Sequence, residues 1–498
     1  MMKRITVISQ DPEDPRVLTD LLRIYFPRVM VGGGGLEEPD AFLYIERDKD
    51  EKFFLVTLSY EGNVYSHTEE ISSPSLTGED PLNHRKRTLR LAVHKLLTRN
   101  LDLRPSPWGI LTGVRPTKIV HRLMDQDFAV GTIREILITE YGLSSNKAQL
   151  VTGIAGLQRD FLLTKEEAKR LISIYVGIPF CPTRCHYCSF PAFSLKRWGH
   201  LLDPYLAGLK REIAGIGGFL KAHGFAVQTV YIGGGTPTLL TTEQLDQLLT
   251  CITENFNLIP AREFTVEGGR PDTIDEEKLC VLKKHRITRL SINPQTMHQE
   301  TLELIGRKHT TRQISETFYL AKASGIPVIN MDLIIGLPGE NLDILRETLA
   351  QVMALKPENI TLHALAVKRA AYYRQEGIEL PHHHEDREMM EFAQKTLSKA
   401  GYIPYYLYRQ KEIFAQGENV GYALPGQACL YNIQMMEERQ TILGFGVGSG
   451  SKLVKVQDWT LENIYNPKDI EVYLNRLEVI IAQKVDKLTS FVYNSCHV

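Results

Sequence analysis

The chain has 498 residues and a mass of 56.5 kDa. Its hydrophobic fraction is 43% and its charged fraction 23%, which excludes a mostly disordered, collagenous or coiled-coil chain. The length implies roughly two to four domains. A formal charge of −1 leaves no global field to draw the protein to nucleic acid or membrane. Seven cysteines are too few for a disulfide scaffold, and the odd count points to a reducing, cytoplasmic setting. The N-terminal apolar stretch breaks at Gln10 and Asp11, too short for a signal peptide. No apolar run reaches the roughly 18 residues of a membrane span.

Charge is unevenly spread. Residues 1–82 hold 8 Lys/Arg and 16 Asp/Glu, whereas residues 83–122 hold 10 Lys/Arg and one acid, Asp102. The first stretch reads as a small α/β domain. LTDLLRIYF from Leu18 has a helical pattern; DAFLYIERD, KFFLVTLSY and NVYSHTEEI alternate as strands. From Asn83 to Asn100 the chain is amphipathic, with Leu89, Val93, Leu96 and Leu97 on one helical face. Arg85, Lys86, Arg87, Arg90, Lys95 and Arg99 populate the rest, either as a solvated face or as a face that receives anions. GILTGVRPTKIVHRL reads as a turn entering a helix at Pro116, and residues 132–170 read as helical.

At about residue 172 the rhythm changes. LISIYVGIP, TVYIGGG, REFTVEGG, ITRLSINP, IPVINMDLIIGLP and ENITLHAL are strand-like. Helical segments lie between them, at 203–223, 241–254, 275–285, 298–304 with 310–324, and 340–354. Six β-runs alternating with helices imply parallel strands with right-handed crossovers. A doubly wound sheet and an open barrel both fit, and in either the chemistry belongs at the carboxyl ends of the strands.

The first strand runs into GIPFCPTRCHYCSF, where Cys181, Cys185 and Cys188 are spaced CxxxCxxC. Three thiolates within eight residues of loop suit a metal centre. Structural zinc would need a fourth ligand, for which His186 or His200 is available. A 4Fe-4S cluster held by three thiolates instead leaves one iron open to a small chelating ligand.

With these residues the sequence resembles the radical S-adenosylmethionine superfamily. Tyr175 and GIPFC resemble its oxygen-independent coproporphyrinogen III oxidase-like family. GILTGVRPTK, CPTRCHYCSF and GQACLYNIQMMEERQTILGFGVGSGSK resemble the coproporphyrinogen dehydrogenase (HemZ-type) subgroup. The resemblance implies an open parallel (β/α)6 partial TIM-type barrel over about residues 172–400. An N-terminal α/β domain (1–100), a helical connecting region (101–171) and a C-terminal α+β extension (401–498) complete the expected organisation. It also implies the cofactors, a 4Fe-4S cluster on the three cysteines and S-adenosyl-L-methionine. Gly233, Gly234, Gly235 and Thr236, in GGGTP, would hold the methionine amino end. Glu267 would contact the cofactor, Gln295 the ribose, Arg307 the methionine carboxylate, and Ile334 would pack near the adenine. Asp332 is assigned to the same pocket, and an acid within an apolar strand needs a partner in any case. Tyr175 is the catalytic candidate.

The reaction implied is reductive cleavage of the cofactor to a 5′-deoxyadenosyl radical. Hydrogen is then removed from two propionate side chains, and loss of carbon dioxide and one electron from each leaves a vinyl group, giving protoporphyrinogen IX. The partners are a tetrapyrrole substrate and reduced flavodoxin or ferredoxin as electron donor, with neither membrane nor nucleic acid. One departure stands out. The best-characterised oxidases carry a further cysteine two residues after the third, where this chain has Phe190. Relatives in this branch also serve as haem chaperones, so a haem-binding or haem-transfer protein is the alternative. Other features are ambiguous from sequence. The run His382, His383, His384 resembles a metal tract, and GFGVGSGS lacks the lysine of a phosphate loop. Tyr402, Tyr405, Tyr406 and Tyr408 could line a macrocycle pocket or pack a core. Cys251, Cys280, Cys429 and Cys496 read as ordinary thiols.

Overall fold

The computed structural model describes residues 2–27, 29–32, 39–113, 115–188, 190, 192–366, 371–375, 386–410 and 417–496. The histidine run 382–384 lies outside them. Contacts divide the chain into two units, 1–156 with 409–411 and 157–408 with 412–498.

The first unit begins β1 (Arg4–Ser9), α1 (Asp14–Tyr25), β2 (Met30–Gly32), β3 (Ala41–Arg47), β4 (Phe53–Tyr60), β5 (Asn63–Glu70) and α2 (Pro81–Asn100). Its sheet has the order β2-β1-β3-β4-β5. The three strand-like runs of the sequence are β3, β4 and β5. Alternation places Ala41, Leu43 and Ile45 of β3 inside, and α2 buries Leu89, Val93, Leu96 and Leu97. Asp80 caps α2 by accepting from Leu82 N at 2.9 Å.

Four of the six basic side chains of α2 meet partners within this unit. Arg85 pairs with Asp11, and Arg87 with Glu79 at 2.9 Å and Glu140 at 2.8 Å. Lys95 pairs with Glu69 at 2.6 Å, and Arg90 donates to Val17 O at 3.1 Å. The anion-receiving reading of these four side chains is therefore corrected: their partners are the unit's own acids and a carbonyl, from the turn just before α2 (Glu79) and from elements more distant in sequence.

The second unit carries six parallel strands: β6 (Leu171–Ile178), β7 (Ala226–Gly234), β8 (Leu258–Glu267), β9 (Arg289–Ser291), β10 (Val328–Ile335) and β11 (Asn359–Ala364). They are the six runs read from sequence. The intervening helices include α3 (Leu202–Ala222), α4 (Thr242–Asn255), α5 (Glu276–Lys284), α6 (Thr311–Ala323) and α7 (Leu342–Leu355). Each of the last four starts on a polar cap. Thr241 and Gln244 form a reciprocal capping box, as do Thr310 and Gln313. Asp275 and Asn341 accept from Lys278 N and Ile344 N.

The chain then adds β12 (Ile403–Tyr408), β13 (Asn419–Ala423), α8 (Leu430–Glu437), β14 (Ile442–Phe445), β15 (Gly450–Lys455), β16 (Thr460–Tyr465) and α9 (Leu477–Cys496). The finished sheet has eleven strands in the linear order β12-β13-β11-β10-β9-β8-β7-β6-β14-β15-β16. This is the expected open parallel β/α barrel, extended at both edges. β14 lies parallel to β6, Ile442 opposite Ser173.

A buried ion pair fastens this extension. Glu212 of α3 is fully buried and accepts from Lys484 Nζ (2.6 Å), Tyr473 OH (2.7 Å), Asn466 Nδ2 (2.9 Å) and Gly446 N (2.9 Å). Lys484 also donates to Gly444 O at 2.6 Å. Burial alone would push the Glu212 carboxyl up; Lys484 and the hydrogen bonds outweigh it and hold the group below its ordinary value. Removing one member leaves a bare charge in an apolar setting. Lys484→Met is therefore expected to cost roughly 3–5 kcal/mol in urea unfolding, and the Glu212→Gln, Lys484→Met pair less than the sum of its parts. A loss below about 1 kcal/mol in the single variant would show that the pair is not coupled to folding.

Candidate functional site

The apolar strand β6 delivers its chain to Phe180 and then to the cysteine loop. Cys181, Cys185 and Cys188 are partly exposed free thiols on this one loop. Among the described residues no three His, Cys, Asp or Glu side chains converge as a single-ion site would require. His186 is occupied otherwise: its Nδ1 lies 2.9 Å from Leu304 O and its ring packs on Tyr372 and Tyr373. His200 stacks near Trp198. Three thiols on one short loop fit an iron–sulfur cube, which takes one thiolate on each of three irons. Burial pushes the Cys181 thiol up to about 11, against the hydrogen bond it accepts from Thr236 Oγ1 at 3.6 Å. Burial likewise raises Cys188.

The Gly-rich turn at the end of β7 packs on the segment that feeds this loop. Gly235 N donates to Ile178 O at 2.7 Å and Thr236 N to Phe180 O at 2.8 Å. A Cβ on Gly235 would meet Phe180 O at 2.3 Å, and one on Gly233 would meet Glu267 Oε2 at 2.5 Å. These two glycines are thus required by close approach within the protein itself. Gly234 has φ +109°, a conformation L side chains rarely adopt. Tyr175 of β6 lies beside this turn and stacks on Tyr231, whose ring stacks in turn on Tyr431 at 4.6 Å between centroids. Burial, with Glu267 nearby, raises the Tyr175 hydroxyl far above its usual value.

Glu267 ends β8 beside Gly233. Its carboxyl is pushed up to about 7, chiefly by burial and then by the like charge of Asp332. Gly234 N–H, His363 and the Tyr231 hydroxyl pull the other way. Asp332, two strands away on β10, accepts from Asn330 Nδ2 at 2.7 Å and lies 3.7 Å from His363 Nε2. Burial opposes its charge, but His363, Asn330 and Thr361 outweigh that and keep it below the usual range. The same pair holds His363 above its ordinary value despite burial. Ile334, also on β10, is buried.

Gln295 follows β9 at φ 69°, outside the region favoured by a non-glycine residue. Its backbone bonds to both sides of β10's end, N to Asp332 O at 2.9 Å and O from Ile334 N at 3.0 Å. Its Oε1 is buried without a partner, as are Asn293 Oδ1 and Arg307 Nε. Backbone strain and unsatisfied buried polar atoms thus coincide at these strand ends. Arg307 also turns toward the cysteine loop: Nη1 donates to Asn293 O at 2.5 Å and Nη2 to Tyr187 OH at 3.2 Å.

The sequence-derived candidates thus fall around the carboxyl ends of β6 to β10. His363, Arg270, Tyr187, Tyr231 and Tyr431 join them there, without a motif in the sequence to single them out. His363 sits inside an apolar run, and its only signal was a titratable group at a strand end. Tyr405, Tyr406, Tyr431 and Cys429 pack in one buried cluster, and Tyr175, Tyr231 and Tyr408 lie at its margin. Cys429 itself donates to Glu263 at 3.2 Å. GFGVGSGS turns against the core rather than forming a phosphate loop, since Gly446 O accepts from Asn466 Nδ2 and from Ser449 Oγ.

Glu267 carries a pH signature. Its carboxyl titrates near 7 in the fold and near 4.5 when unfolded. The folded state therefore binds the proton more tightly, and stability falls as pH rises from about 4.5 to about 7, then levels off. Glu267→Gln lacks that fall. Its stability gain over wild type, from urea unfolding of the cofactor-free protein, should be larger at pH 8 than at pH 5. An equal difference at both values would refute the assignment.

Residues 175–352 match the model of the radical SAM superfamily. Over 482 residues the chain is 38% identical to the oxygen-independent coproporphyrinogen-III oxidase-like protein HemZ of Bacillus subtilis (strain 168), covering 95% of each chain. It is 32% identical over 284 residues to the heme chaperone HemW of the same organism, covering 56% of this chain and 70% of that one. Among solved structures, coproporphyrinogen III oxidase (HemN) from Escherichia coli superposes with a TM-score of 0.52 at 23% identity, over 65% of this chain and 72% of that one. That likeness supports the fold.

Proposed function

Because the chain belongs to the oxygen-independent coproporphyrinogen-III oxidase-like family of radical S-adenosylmethionine proteins, we propose that it is an oxidoreductase of tetrapyrrole synthesis. Its reaction is the oxidative decarboxylation of two propionates of coproporphyrinogen III to vinyls, giving protoporphyrinogen IX. The observation that carries this reading is the juxtaposition, at the ends of neighbouring parallel strands, of a three-thiol loop, a Gly-rich turn and the Glu267–Asp332–His363 cluster. The family's 4Fe-4S cluster and S-adenosyl-L-methionine, when bound, supply one-electron reductive radical chemistry.

The chain's own residues do the holding and orienting. Cys181, Cys185 and Cys188 ligate the cluster. Gly233 to Thr236 offer backbone and hydroxyl groups, and Glu267 and Asp332 offer carboxylates to the amino and hydroxyl groups of the cofactor. Gln295 and Arg307 each bring an unpartnered buried polar atom, Arg307 suiting a carboxylate. Ile334 supplies an apolar surface, and Tyr175 and Tyr231 wall the reacting space from water. Reduced flavodoxin or ferredoxin is the donor, and the setting is cytoplasmic. No helix of the described residues is long and apolar enough to cross a membrane.

Haem handling is the second reading. It is favoured by the similarity to heme chaperones and by Phe190, 63% exposed, in place of the further cysteine. Anaerobic incubation of reconstituted protein with coproporphyrinogen III, S-adenosylmethionine and dithionite, followed by mass spectrometry, separates the two. Loss of two carbon dioxide units together with four hydrogens supports the enzyme. Tight haem binding with no product supports the alternative.

Two variant sets test the site. Cys181→Ala, Cys185→Ala and Cys188→Ala should each lose most iron and charge-transfer absorbance after reconstitution; full iron in any of them would remove that cysteine from the ligand set. Glu267→Gln should keep its iron yet bind S-adenosylmethionine about 1.5–3 kcal/mol more weakly, the worth of a hydrogen bond to a charged group, or roughly 10- to 100-fold in Kd. Unchanged affinity would take Glu267 out of the pocket.

A further inference from the structure

Thr183 lies between the first two cysteines of the loop, and its hydroxyl is held. Arg270 Nη1 donates to Thr183 Oγ1 at 2.6 Å. Arg270 is only 3% exposed and stands on the turn after β8, three residues beyond Glu267. Its Nε and Nη2 fork onto Asp272 Oδ1 and Oδ2 at 3.0 and 2.9 Å. A bidentate carboxylate fixes the plane of a guanidinium, so the direction of the third donor is fixed as well. Asp272 has a further neighbour in the buried ring of His309, 3.6 Å away at Nδ1. The second half of the loop is gripped from other elements: Tyr187 OH accepts from Arg307, and His186 N donates to Ile305 O at 3.1 Å. The first half, Cys181 to Cys185, is the part that Arg270 reaches.

We propose that Arg270, locked by Asp272, is a positioning residue for the cysteine loop, and that through Thr183 it sets the placement of Cys181 and Cys185 around the cluster. The inference rests on the reading of the three cysteines as cluster ligands. Arg270 acts through the neutral Thr183 hydroxyl, and its guanidinium sets a fixed positive charge beside the loop. Partners of this kind hold ligands in place and tune a metal centre, and their loss typically costs 10- to 100-fold in metal affinity. Net charge and hydrogen bonding near the sulfurs also set the reduction potential of a cluster. Lysine cannot replace Arg270, because one ammonium does not both fork onto a carboxylate and reach a third partner in a fixed plane.

The two contributions separate by substitution. Thr183→Val keeps side-chain volume and the Arg270 charge but deletes the acceptor. Thr183→Ser keeps the hydroxyl. Arg270→Gln deletes charge and donor fork together. Full-length protein is reconstituted anaerobically, and iron loss to a chelator, the spectrum of the reduced cluster and its midpoint potential are measured. Thr183→Val and Arg270→Gln should lose iron ~10-fold faster than wild type, and the double variant no faster than Arg270→Gln alone. Thr183→Ser should restore wild-type retention. Arg270→Gln, lacking a positive charge beside the cysteine loop, should shift the potential to more negative values. Wild-type retention and spectra in Thr183→Val, or additive losses in the double variant, overturn the proposal. Failure of wild type itself to take up a cluster overturns the parent reading instead.

Discussion

A charge taken out of water at the end of a parallel strand must find a partner, and the upper rim of this sheet is organised by that requirement. Asp332 leans on His363 of the adjacent strand and on Asn330 of its own. Arg270 is held by Asp272, and Arg307 by a carbonyl and a tyrosine hydroxyl. Glu267 is the exception. Its neighbours include another acid, and the group stays poised near neutrality. Fixed charges along the rim surround one that is not fixed.

The glycines of the β7 turn and the aromatic stack behind them serve the same rim. Gly233 and Gly235 bring two stretches of backbone and the Glu267 side chain into contact. The Tyr175–Tyr231–Tyr431 stack fills the apolar side. Tyr431 reaches that stack because Glu263 accepts from Leu430 N and Tyr431 N, capping α8. A residue of the C-terminal extension is thus held by a carboxylate of the barrel, and the extension supplies part of the wall of the candidate pocket.

Much of this was legible in the residues. Buried parallel strands read as near-continuous apolar runs, so β6 to β11 stood out, and polar caps marked the helices between them. The three cysteines stood out by spacing, and Asp332 by being an acid in an apolar strand. What stayed hidden depends on distance in sequence. The basic face of α2 looked free because its acids, Asp11, Glu69, Glu79 and Glu140, lie on other elements. Arg270 sat beside Glu267 in VEGGRPDT without any local sign that it reaches Thr183. β14 is four residues long, too short for periodicity to reveal, and nothing in ILGF indicates that it pairs with the first barrel strand.

That pairing has a consequence for how the molecule is made. The edge of β6, the strand that leads to the cysteine loop, is covered by β14. The polar contact between Ser173 and Gln440 at this seam joins residues 267 positions apart. During synthesis, therefore, β6 emerges long before the strand that completes its neighbourhood. Until then it presents an apolar, unpaired edge, the kind of surface that recruits other chains. Closure at such separation is entropically slow, so the nascent barrel depends on late-made residues to shield the strand that leads to its cysteine loop.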